Sequence, residues 1–168
     1  MSLSMSQASV SIYAQQLNSL SALLDKAAEH CRAKGVDPSE LIGAQLAPDM
    51  FPLSRQIQIA TDQAKGATAR LSGREIPKFE DTEKTFDELK ARIAKTLDFI
   101  KSVPAKEIDG SEEKDITLPI GGQPRTLKGQ LYLVRNSLPN FFFHVTTAYD
   151  ILRHNGLGIG KDDFMGEG

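Results

Sequence analysis

Four stretches of this chain repeat apolar residues at steps of three and four, the spacing of one face of an α-helix. The first runs from about Gln7 to Lys34 through Val10, Tyr13, Leu17, Leu20, Leu24, Ala27 and Cys31, with Gly35 placed to end it. A second carries Ile57, Ala60, Ala64, Ala67 and Leu71 and stops near Ser72-Gly73; its alanines allow a neighbouring helix to come close. The third is predicted to begin at Asp81 or Thr82 and to pass through Phe86, Leu89, Ile93, Leu97 and Ile100 before Pro104 stops it. The last spans about Lys128 to His154, with Leu131, Val134, Leu138, Phe142, Val145, Ala148 and Leu152 as its seam. Pro139 is expected to kink it, and Asn155-Gly156 to cap it. Four helices of about 20 to 27 residues predict an all-α fold, a four-helix bundle.

The connections carry their own signals. Asp37-Pro38-Ser39-Glu40 offers an N-cap, a proline at the first helical position and a capping glutamate ahead of Leu41 and Ile42, which predicts one short helical turn. Ile116-Thr117-Leu118-Pro119-Ile120 and Arg125-Thr126-Leu127 flank Gly121-Gly122 and predict a small β-hairpin inserted between helices three and four, confined to an edge by Pro119 and Pro124. Met1-Ser2-Leu3 and Glu167-Gly168 read as expression remnants, leaving 4–166 as a single domain.

A chain of 168 residues suffices for one sizeable core. Twenty Lys and Arg against twenty-two Asp and Glu lack the basic excess that phosphate-backbone binding requires, so nucleic acid is not an expected partner. No apolar run approaches the roughly 20 residues of a membrane span. The single Cys31 can form no internal disulfide, which fits a reduced, cytoplasmic setting; on the apolar stripe of the first helix it reads as core packing.

The last helix carries the chemistry. Asn136, Asn140 and His144 are four apart and stack along one face, with Thr147 beside them and Phe141, Phe142 and Phe143 around them. The row is either a ligand-binding or metal-binding stripe or a solvated helix face. His30 and His154, near helix C-termini, are expected to cap free carbonyls. The three histidines occur without HExxH, HxxxH or a Cys/His cluster, so any metal must draw on ligands distant in sequence, with Arg55, Gln56, Asp62 and Gln63 of the second long helix as possible site partners. Gly156-Leu157-Gly158-Ile159-Gly160-Lys161 follows a helix and lacks the spacing and Ser/Thr of a phosphate loop.

Two segments together carry a family likeness: Asp49-Met50-Phe51-Pro52-Leu53 leading to Gln56 and Asp62-Gln63-Ala64-Lys65, and the run Asn140-Phe141-Phe142-Phe143-His144-Val145-Thr146-Thr147-Ala148-Tyr149-Asp150-Ile151-Leu152-Arg153-His154-Asn155-Gly156. With the closing Lys161-Asp162-Asp163-Phe164, the chain resembles an uncharacterised bacterial and fungal family, domain of unknown function nineteen-ninety-three, grouped with the DinB/YfiT-like bundles. The resemblance implies a DinB-like antiparallel four-helix bundle, whose members hold a divalent metal with one histidine on the second helix and an HxxxH pair on the last. Aligning Leu152-Arg153 with their Leu-Arg pair puts His144 at the second HxxxH histidine, Asn140 at the first, and Gln56 nearest the second-helix ligand. Amide oxygens are weaker zinc or nickel ligands than imidazole, so this triad is degenerate.

The expected function is therefore binding of a small polar ligand in a cleft between the second and last helices. Gln56, Asn140, His144 and Tyr149 are the expected binding residues, with Phe143 and Tyr149 as walls, and no cofactor is expected. The alternative is a divalent-metal-dependent transferase or hydrolase in which His144 is joined by Asn140, Gln56 or Asp49 in an oxygen-rich site suited to magnesium or manganese. A third reading is a purely structural dimerisation module. DinB-like bundles commonly pair, and the Phe141–Phe143 run exceeds what one seam can bury, so a homodimer is expected.

Overall fold

The computed structural model of the chain describes residues 3–168; Met1 and Ser2, part of the segment set aside as a remnant, lie outside the described residues. The chain is predominantly helical, with one two-stranded antiparallel sheet. In order, a π-helical turn (Gln7–Ser11) leads into α1 (Ile12–Lys34), followed by α2 (Pro38–Ile42), α3 (Leu53–Ser72), α4 (Phe86–Ser102) and α5 (Ala105–Ile108). Strands β1 (Asp115–Ile120) and β2 (Gln123–Lys128) precede α6 (Gly129–Tyr132), a second π turn (Leu133–Ser137), α7 (Leu138–His154) and α8 (Lys161–Met165).

α3 packs most extensively against α7 and then α4, while α1 packs on α4, α8 and α7. The core seams agree with the helical periods over most of their length: Tyr13, Leu17, Leu20, Leu24, Ala27 and Cys31 of α1 are buried, as are Ile57, Ala60, Ala64, Ala67 and Leu71 of α3. Gly35 and Gly73 end these helices at positive φ, 66° and 82°, and Asp37 Oδ1 caps α2 by accepting from Ser39 N at 2.8 Å.

Two boundaries differ from expectation. α4 starts at Phe86 because Thr85 and Glu88 form a capping box, in which Thr85 Oγ1 accepts from Glu88 N at 3.1 Å and Glu88 accepts from Thr85 N at 3.0 Å. The seam of the last helix is displaced as well: Val134 is 56% exposed and Leu131 39%, while Tyr132, Leu133, Ser137 and Phe141 are buried and Phe142 only half so. The wider π turn carries the buried face forward through Leu133 and Ser137, immediately before Pro139, which has no N–H to give the preceding turn. Phe141 meets Tyr13 edge to face at 4.8 Å, and the Tyr13 hydroxyl, whose ionisation burial suppresses, pairs with Ser137 Oγ at 2.7 Å.

The hairpin turns through Gly121 and Gly122, both at positive φ, and pairs Ile120 with Gln123 and Pro119 with Pro124. A two-residue turn makes its flanking pair hydrogen-bonded, so the prolines face one another at a non-hydrogen-bonded position and cost no ladder bond. No helix is long and apolar enough to cross a membrane among the described residues.

Candidate functional site

Gln56 lies in the first turns of α3, following the extended Pro52 that starts the helix. Its Nε2 donates to the Phe51 carbonyl at 2.9 Å, which fixes the amide so that Oε1 is turned to His144 Nδ1 of α7, 2.7 Å away. Gln56 is only 1% exposed, so both ends of its amide must find partners inside the protein, and both do. An amide oxygen can only accept, which places the proton of a neutral His144 on Nδ1 and leaves Nε2 with a free lone pair. Burial, and then the positive charge of Arg55, hold the His144 pKa below its ordinary 6.5, so the ring is neutral at pH 7.

Two aromatic rings and one cation lie near the His144–Gln56 pair. Phe143 meets the His144 ring edge to face at 5.2 Å and is 56% exposed. Phe51, also exposed, has the Arg55 guanidinium 6.0 Å from its ring centre. Arg55 donates to Gln58 Oε1 at 3.1 Å and pairs with Asp81.

The other expected residues stand apart from this pair. Asn140 is exposed, and its Nδ2 donates to the Asn136 carbonyl one turn back at 2.8 Å. Thr147 is buried and spends its hydroxyl on the Phe143 carbonyl. Tyr149 is half-buried, its ring edge to face with Phe164 of α8 at 5.9 Å. Asp49 is exposed in the segment before α3. Of the Asn136-Asn140-His144 row, His144 is the member that bonds across to α3. His30 and His154 make no capping bond among the described residues: the Cys31 carbonyl is taken by Val36 N, and that of Ile151 by Asn155 Nδ2. Burial raises the Cys31 thiol, consistent with a packing role.

The divalent ion implied by the DinB-like resemblance does not fit this donor set. Among the described residues no three His, Cys, Asp or Glu side chains converge. Gln56 Oε1 and His144 Nδ1 are satisfied by each other at hydrogen-bond distance, leaving the Nε2 lone pair as the open ligand of the pair.

A second polar constellation gave little sign of itself in the sequence. Arg92 of α4, 4% exposed, donates to Thr61 Oγ1 (2.8 Å), Asp62 (2.9 Å), Glu83 (3.0 Å) and the Glu80 carbonyl (3.1 Å), and lies 3.0 Å from Asp81. Phe79 was the available signal, a lone aromatic in a polar stretch; its ring sits under Lys65 Nζ at 4.0 Å, Lys95 Nζ at 4.3 Å and the Arg92 guanidinium at 5.6 Å.

The helical chain that brings Gln56 of α3 to His144 of α7 has a counterpart among solved structures. It superposes on the crystal structure of a DinB family member protein from Shewanella denitrificans with a TM-score of 0.90 and 38% sequence identity, over 95% of this chain and 90% of that one. The family described as a domain of unknown function, DUF1993, matches residues 5–165, and this chain belongs to it. No curated protein matches the chain.

Proposed function

We propose that the four long helices form a DinB-like antiparallel four-helix bundle that carries the hairpin as an insertion, and that a degenerate metal triad serves it as a binding site for a small polar ligand between α3 and α7. The observation that carries this reading is the 2.7 Å bond between His144 Nδ1 and the buried Gln56 Oε1. It spends the two groups nearest the family's ligand positions on each other and orients a neutral imidazole whose Nε2 can accept from a ligand hydroxyl or amide. Arg55 adds a donor, and Phe51 and Phe143 offer apolar surface at the rim. Asn140, one turn before His144 on the same face, joins the site on ligand binding by rotation of its exposed side chain, whereas Tyr149 packs on Phe164 of α8, away from that face.

The test is thermal stabilisation by a panel of small polar metabolites. A compound that raises the melting temperature of the wild type should leave His144→Leu unchanged, because a specific ligand stabilises only the state it binds. Stabilisation of both proteins alike would end the reading. Calorimetry with zinc checks the donor set: micromolar or weaker binding is expected, and tight stoichiometric binding lost in His144→Ala would restore the metalloenzyme. The same reading holds the chain to be a cytoplasmic homodimer, with Phe143, Val134 and Leu131 as exposed apolar contacts. Light scattering reporting a monomer at high concentration would refute the dimer.

A further inference from the structure

The segment 74–85 crosses from α3 to α4 and leaves an open cleft of about 510 Å³ against α3, lined by Asp62, Lys65, Gly66, Arg70, Lys78 and Phe79 among others. Its charge is unbalanced: three cations face one carboxylate. That carboxylate is already shared, since Asp62 Oδ1 accepts from Lys65 Nζ at 2.7 Å and from Arg92 at 2.9 Å. Lys65 is 5% exposed, so its charge is held away from water, with the face of Phe79 on its other side. Arg70 and Lys78 have no carboxylate within 4 Å among the described residues. The Arg70 guanidinium makes one long hydrogen bond, 3.4 Å, to the Tyr132 hydroxyl.

Gly66 explains how Arg70 comes to lie there. Glycine inside a helix costs up to about 1 kcal/mol relative to alanine, and Gly66 is buried in the middle of α3. A Cβ at that position would stand 2.7 Å from Arg70 Nη1. The missing side chain is thus the space that lets the guanidinium fold back one turn along the helix, its five donors largely unused.

We propose that this cleft binds a small multivalent oxyanion, a phosphate ester or a polycarboxylate, with Arg70 as the fork that receives it, Lys65 and Lys78 as flanking charges, and Gly66 as the space that positions Arg70. A planar guanidinium matches two oxygens of either group at once, which a lysine cannot do. The net charge of the whole chain is −2, so attraction of an anion here is local to the cleft.

Isothermal titration calorimetry with pyrophosphate and with citrate, at about 0.15 M salt where diffuse attraction is screened within roughly 8 Å, tests this. Saturable one-to-one binding of at least one probe to the wild type is expected; preference for pyrophosphate assigns phosphate esters, and preference for citrate assigns carboxylates. Arg70→Gln should weaken that binding tenfold or more. Gly66→Ala should weaken it comparably although it removes no charge, and it should keep its fold, because the atom displaced is the tip of a flexible side chain; circular dichroism melts of both variants verify that. Absence of saturable binding to the wild type, or wild-type affinity in either folded variant, would overturn the site.

Discussion

At His144 the physics of one residue makes two testable statements. Burial and Arg55 both disfavour the imidazolium, so the folded pKa lies below the ordinary 6.5. The unfolded chain therefore binds the proton more readily. Stability from the neutral ring is fully present above the unfolded value and is lost as pH falls through the depressed folded one. An NMR titration should find the His144 midpoint below 6.5, with Nδ1 protonated in the neutral form, and Arg55→Gln should move that midpoint up. A midpoint at or above 6.5 would contradict the geometry. Gln56→Leu should cost about 1–3 kcal/mol, the range for leaving a buried polar group unpaired, because the His144 Nδ1–H loses its acceptor. This pair was partly legible in the sequence. The family likeness singled out Gln56 and His144, and helical spacing set His144 on a row with Asn140, but which member of that row reaches Gln56 depends on how far along α3 the helix α7 is placed, which no local pattern encodes.

At the scale of elements, what the sequence makes plain is what local chemistry decides. Apolar spacing in α1 and α3, the Gly35 and Gly73 caps and the Gly121-Gly122 turn are properties of a few neighbouring residues, and the structure has them where they were expected. The start of α4 was legible too, in Thr85 and Glu88, yet the acidic run from Asp81 imitates a helix start and competes with it. The π turn at Leu133–Ser137 was not legible, because it serves the packing of Ser137 on Tyr13 and of Phe141 below it, contacts made across more than a hundred residues of chain. Gly129 begins this helix for a similar tertiary reason. It is buried, and a Cβ there would fall 1.9 Å from the Ser111 carbonyl oxygen, a backbone atom of the segment before the hairpin, while Gln130 N donates to the Glu112 carbonyl at 3.0 Å. Gly129→Ala must separate the two backbones and should destabilise the protein by about 3 kcal/mol, the upper part of the usual overpacking range. For a chain of this size that is a fall in melting temperature of about 6–12 °C. An unchanged melt would mean that the close approach is not maintained in solution.

For the molecule as a whole, the question is what holds the segment 74–85 on α3 and α4, since Ile76 and Phe79 are its only large apolar side chains and neither is fully buried. Arg92 answers it: one buried guanidinium joins α4 to Thr61 and Asp62 of α3 and to Glu80, Asp81 and Glu83 of the segment. Asp81 in turn pairs with Arg55, and Glu83 accepts from Gln58 at 3.0 Å, so the same segment is tied to the turn of α3 that carries Gln56. Removing the buried cation of this network costs more than a surface pair, about 3 kcal/mol, the low end of the buried-pair range, because Asp62 and Asp81 keep Lys65 and Arg55 and are over a third exposed, while Glu83 and Thr61 lose their charged donor inside the protein. Arg92→Met keeps much of the apolar stem and removes the fork, so its loss reports the ionic ties. The melting temperature should fall by roughly 6–12 °C at 2–4 °C per kcal/mol. Arg92→Lys should recover little of this, since one ammonium cannot span five acceptors in a plane. Limited proteolysis should then cut first between Arg74 and Thr85, where the backbone is released, and wild-type resistance in that segment for Arg92→Met would show that Phe79 and its remaining cations hold it unaided.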